Sequence, residues 1–106
     1  MVNVSALVCT RNRPQAIARV VASLLATRDE PLELIVVDQS EGTETERALS
    51  PFRGDSRFRY YRSQSRGKGA ALNEGIRVAN APIVVCTDDD CEASPGWISG
   101  MARALE

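Results

Sequence analysis

Three consecutive aspartates, Asp88, Asp89 and Asp90, follow directly on an apolar run, and they are the most chemically informative feature of the chain. Adjacent carboxylates repel, and at a converging sheet edge they are costly unless a cation or ligand hydroxyls compensate them. Oxygen-only donors suit Mg²⁺ or Mn²⁺, and Mg²⁺ is usually held by one or two carboxylates together with substrate phosphates. The triplet therefore points to a divalent cation and a phosphorylated ligand. A solvated acidic loop is the plain alternative.

Other residues could serve the same site. Asp38 ends a second apolar run, where acidic residues of nucleotide folds accept hydrogen bonds from a base or ribose; a turn with Ser40 is its structural alternative. Thr10, Arg11 and Asn12 precede a helix, where backbone amides and a cation favour an anion, or where they simply cap. Lys68 lies in SRGKGAALNEG, which is not a phosphate loop of the Walker type, because Gly69 stands where Ser or Thr is required and Arg62 replaces the earlier glycine. Leu72 likewise breaks a GxGxxG reading. What remains is a flexible loop that presents Lys68 to a base, a phosphate or solvent. Histidine is absent, which removes imidazole as base, nucleophile or metal ligand within the chain.

The elements that must position these residues follow from periodicity. Val2 to Cys9 reads as a strand ending near Thr10. Pro14 fits the first helical position, and Ile17, Val20, Val21, Leu24 and Leu25 draw one apolar stripe. Leu32 to Val37 is a second buried strand, and Gly42 to Leu49 a short polar helix ended by Pro51. Arg57 to Arg62 alternates as a charged edge strand, with Phe58 and Tyr60 on one face. Lys68 to Asn80 predicts a helix with Leu72, Ile76 and Ala79 on its apolar face, at a cost from Gly69 and Gly75. Pro82 opens a fourth strand, and Ser94 and Pro95 start a last helix carrying Trp97, Ile98, Met101 and Leu105. The order β-α-β-α-β-α-β-α predicts an α/β fold, a Rossmann-like doubly wound parallel sheet with helices on both faces. Ligands of such sheets collect outside the carboxyl ends of the strands, where Thr10, Asp38 and the aspartate triplet all fall.

Composition sets the limits. A chain of 106 residues, 43% hydrophobic, is sized for one domain. Thirteen Lys and Arg against fourteen Asp and Glu leave a charge of −1, so the basic, aromatic stretch from Arg53 to Lys68 reads as an edge strand and no nucleic-acid partner is expected. Three cysteines fit a reducing compartment, with Cys9 and Cys86 expected as buried thiols and Cys91 as inert packing. With no signal-like or membrane-spanning run, a cytoplasmic location is expected, with peripheral membrane contact left open. A receiver domain would carry paired acids after the first strand, where this chain reads Thr10-Arg11.

ALVCTRNRP, LELIVVDQS, GKGAALNEGI and IVVCTDDDCEASPGW, in this order and at these spacings, resemble the amino-terminal half of inverting family-two glycosyltransferases with the GT-A fold. The resemblance spans essentially the whole chain. It implies a nucleotide-diphosphate-sugar donor of UDP or GDP type and a DxD motif in which Asp88 faces the ribose or sugar. Asp90 would coordinate the Mn²⁺ or Mg²⁺ that bridges the diphosphate, with Asp88 as its companion. Asp38 matches the aspartate that contacts the base and Thr10 the nucleotide-facing turn; Arg11, Lys68 and Asp89 complete the donor-binding set. Where many members read DDGS or DNGS, this chain reads Asp38-Gln39-Ser40. In such enzymes the acceptor half supplies an Asp or Glu as general base, so residues 1–106 are expected to be the donor-binding half, without a catalytic residue of their own. Glu92 is the one conceivable substitute. The implied acceptor is a saccharide or a lipid-linked hydroxyl, and an exposed sheet edge invites self-association. A noncatalytic nucleotide-binding or interaction module is the alternative.

Overall fold

A computed structural model describes residues 2–27, 30–90 and 97–104. Its elements are β1 (Val4–Thr10), α1 (Pro14–Leu25), β2 (Leu32–Asp38), α2 (Glu44–Leu49), β3 (Phe58–Arg62), α3 (Lys68–Val78), β4 (Ile83–Thr87) and α4 (Trp97–Ala104), with a 3₁₀ turn, Ser50–Phe52, after α2. The four strands form one parallel sheet in the order β3-β2-β1-β4. This is the doubly wound arrangement expected from the sequence.

Alternation along the strands sorts the core into two layers. Val4, Ala6 and Val8 of β1, with Leu34 and Val36 of β2, face α1, α2 and α4. Leu7, Ile35 and Val37 face α3 on the other side. Pro14 starts α1 with its fixed φ, and the Ile17, Val20, Val21, Leu24 and Leu25 stripe is buried as its spacing requires. Each such side chain contributes about 1.5–3 kcal/mol on burial, so a charge at Val20 would undo the docking of the whole helix.

The α3 face departs from expectation. Ile76 is 53% exposed, while Ala71 and Gly75 are buried. The reason is close approach: a Cβ at Gly75 would collide with the Leu7 side chain. Gly75 is therefore what lets α3 lie on the sheet, and the apolar face runs through Ala71, Leu72, Val78 and Ala79. A second departure is Cys86, which is exposed on the edge strand; Cys9 is half-buried. Cys91, Glu92, the Ser94-Pro95 helix start and Leu105 lie outside the described residues. No helix among the described residues is long and apolar enough to cross a membrane.

One buried polar cluster ties the α3 face together at the end of the sheet away from the aspartates. Glu33, 5% exposed, accepts hydrogen bonds from the Ser5 hydroxyl at 2.5 Å, the Asn80 backbone at 2.6 Å and Arg59 at 2.7 Å. Arg59 also reaches the Val78 carbonyl at 2.8 Å. The cluster fixes the segment between α3 and β4, and so the entry of β4 toward Asp88.

Candidate functional site

Parallel strands in register end together. Thr10 pairs with Asp38 and Val8 with Thr87, so the loops after β1, β2 and β4 open side by side, with the N-terminus of α3 beside them. Two clefts follow this edge. The first, about 400 Å³, is walled by Thr10, Arg11, Arg13, Gln39, Lys68 and the three aspartates, with Cys9 at its floor. The second, about 320 Å³, lies between the β2 and β3 loops among Ser40, Arg62, Ser63, Ser65 and Arg66. Arg11 and Gln39 border both.

The aspartates are individually engaged. Lys68 Nζ lies 2.5 Å from Asp88 Oδ1. Its hydrogen bond and charge hold the Asp88 carboxyl below the ordinary range, and Asp88 in turn raises the lysine. Asp89 accepts the Thr10 hydroxyl at 2.9 Å, so Thr10 serves the triplet rather than capping α1. The Arg13 guanidinium stands 3.6 Å from Asp89 and 3.9 Å from Asp90. Burial pushes the Cys9 thiol up to about 11, helped by neighbouring Cys86, so it is a neutral wall of the cleft at physiological pH.

Asp38 is fully buried. Its Oδ1 accepts the Ser40 backbone N–H at 2.9 Å, the turn that its position suggested, and its Oδ2 accepts the Tyr60 hydroxyl at 2.6 Å. Burial and the Asp38 carboxylate both push the Tyr60 phenol up. Arg11 pairs with Glu41 at 2.8 Å across the mouth. Asn12, in the left-handed region at φ 56°, accepts the Glu41 N–H while its own N–H reaches the Ser40 hydroxyl, which binds the β1 and β2 loops together.

Gln39 joins the third loop. Its amide Nε2 donates to the Gly67 carbonyl at 2.9 Å and to the Ser65 hydroxyl at 3.1 Å. Gly67 takes φ 88°, a conformation that favours glycine, and turns the chain into α3 so that Lys68 is its first residue. The structure thus brings Thr10, Arg11, Lys68, Asp88, Asp89 and Asp90 to one cleft, with Asp38 buried beneath its rim. Arg13, Gln39 and Tyr60 were not singled out from the sequence. The departure at Gln39 from the common DDGS pattern was the one signal available; nothing local to Arg13 or Tyr60 betrays contacts made across strands.

Against known proteins, the family model described as glycosyl transferase family 2 matches residues 5–106. The chain belongs to glycosyltransferase family 2. As a family 2 domain it is 30% identical over 106 residues to the glucosyl-dolichyl phosphate glucuronosyltransferase of Haloferax volcanii, covering 97% of this chain and 34% of that protein. A mannosyltransferase from Pyrobaculum calidifontis, solved with GDP-Man and Mn²⁺, superposes with a TM-score of 0.81 at 28% identity, over 97% of this chain and 31% of its own. S. aureus TarS, solved with UDP-GlcNAc, shares the fold at a TM-score of 0.84 and 22% identity, over 97% of this chain and 31% of its own. The family 2 domain therefore has the GT-A fold and spans about a third of the length of these proteins.

Proposed function

We propose that this chain is the donor-binding part of a glycosyltransferase that holds a nucleotide-diphosphate sugar of UDP or GDP type for transfer, with inversion, to a hydroxyl of a saccharide or lipid-linked acceptor. The observation that carries this reading is the pair of clefts meeting at Arg11 and Gln39, one lined by the three aspartates with basic side chains opposite and one by hydroxyls and arginines. The aspartate-lined cleft suits a diphosphate with its cation; the other suits a nucleoside. Asp38, buried at the root of the second loop, serves the base side by shaping the Ser40 turn.

The donor chemistry of the triplet fits Mn²⁺ or Mg²⁺. All side-chain donors are carboxylate oxygens, and among the described residues no three metal-ligating side chains form a ready-made cage. Such a set suits a cation that also takes phosphate oxygens. Asp88 and Asp90 would hold it, and when bound it would neutralise charge developing on the leaving diphosphate. Thr10 keeps Asp89 turned inward, Lys68 and Arg13 add positive charge where the diphosphate leaves, and Arg11 stands between the two subsites.

In this reading the role of residues 1–106 is donor binding, and no side chain among the described residues is assigned as general base. Calorimetric titration with UDP and GDP, in Mn²⁺ and in chelator, tests the reading. Metal-dependent heat with either nucleotide supports it. The absence of binding to both would favour the rival reading of an interaction module.

A further inference from the structure

We propose that Lys68 is an exchangeable counter-ion, paired with Asp88 in the free protein and transferred to the diphosphate when it arrives, so that cation and nucleotide are taken up together. This rests on the donor-site reading above and adds an order of binding to it.

Three observations carry the inference. Lys68 Nζ occupies Asp88 Oδ1 at 2.5 Å, on one of the carboxylates assigned to the cation. Both side chains are more than half exposed, at 64% and 56%, so the pair is weakly held and the lysine leaves without desolvation. The backbone under Lys68 is fixed by Gly67 and by the Gln39 bond to the Gly67 carbonyl, while the four-carbon stem stays free to swing within the cleft that it lines.

Charge sets the direction of exchange. The three carboxylates share the cleft with Lys68, Arg13 and Arg11, so its lining is close to neutral. A divalent cation entering alone would make it positive and confront these basic side chains. A cation accompanied by a diphosphate brings compensating negative charge, and gives Lys68 a new partner of the same kind as the one it gives up.

The two states predict opposite signs for one substitution, which separates this role from simple phosphate binding. Lys68→Met keeps the apolar stem and removes the charge. Free Mn²⁺, followed by electron paramagnetic resonance with no nucleotide present, should bind Lys68→Met about threefold more tightly than wild type, the scale of an exposed ion pair. With Mn²⁺ saturating, UDP or GDP should bind the same variant severalfold more weakly, and Lys68→Arg should return both affinities toward wild type. Lys68→Gln repeats the comparison should Lys68→Met fold poorly. Mn²⁺ affinity that is unchanged or weaker in both neutral variants would overturn the counter-ion role while leaving the donor site standing. A wild-type chain that binds neither nucleotide at any Mn²⁺ concentration would overturn both.

Discussion

Tyr60, at the middle of β3, donates its hydroxyl to the fully buried Oδ2 of Asp38 at the end of β2, 2.6 Å away. With the Ser40 N–H on Oδ1, both oxygens of that carboxylate are satisfied within the protein. Asp38 therefore sets the shape of the β2 loop before any ligand is present. Tyr60→Phe leaves a buried charged oxygen without its donor, and the expected loss is about 1–3 kcal/mol of folding stability, read from urea unfolding. A variant as stable as wild type would show that this bond does not hold the loop.

The Glu33 cluster predicts a pH dependence. Burial by itself would raise the Glu33 carboxyl, but the hydrogen bonds from Ser5, the Asn80 backbone and Arg59 together outweigh it and lower it. A carboxyl depressed in the folded state adds stability that is present above its unfolded value of about 4.3 and is lost as pH falls through the folded value. Glu33→Gln should thus be less stable than wild type at neutral pH, and the gap should narrow on acidification below about pH 4. Thermal melts of both proteins across that range check the sign; a gap that widens in acid would contradict it.

The sheet has unequal edges. β3 carries Arg59 and Arg62 at its margin, whereas β4 reads Ile-Val-Val-Cys-Thr with no charge to deter pairing. Unguarded apolar edges recruit further strands, so the isolated chain is expected to self-associate through β4 or to be marginally stable. Sedimentation velocity should show species above the monomer that diminish on Cys86→Lys. A stable monomer with cooperative unfolding would contradict this.

How far the sequence revealed this architecture depended on whether a residue's role was local. The stripe on α1 and the continuous apolar β2 carry their burial in their own spacing, and the strand order follows from parallel pairing rules. Ile76 departs from the helical stripe on α3 because spacing alone does not show that Gly75 must admit Leu7. Glu33 is one polar residue in an apolar strand, and nothing in its own spacing shows that its partners come from β1, β3 and the segment after α3. The aspartate triplet and Thr10 were legible because strand ends converge in any doubly wound sheet. The parts played by Arg13 and Gln39 were not, because a long side chain's reach across two loops leaves no trace in periodicity.

In the proposed site, nucleotide binding runs through a cation held at Asp90, which can be tested by titrating UDP and GDP calorimetrically into wild type, Asp90→Asn and Glu92→Gln at fixed Mn²⁺. Asp90→Asn should weaken Mn²⁺-dependent binding by about an order of magnitude or more, as removal of one of two carboxylate ligands requires, while Glu92→Gln should leave it unchanged. Equal losses in the two variants, or wild-type binding that persists undiminished in chelator, would contradict the account.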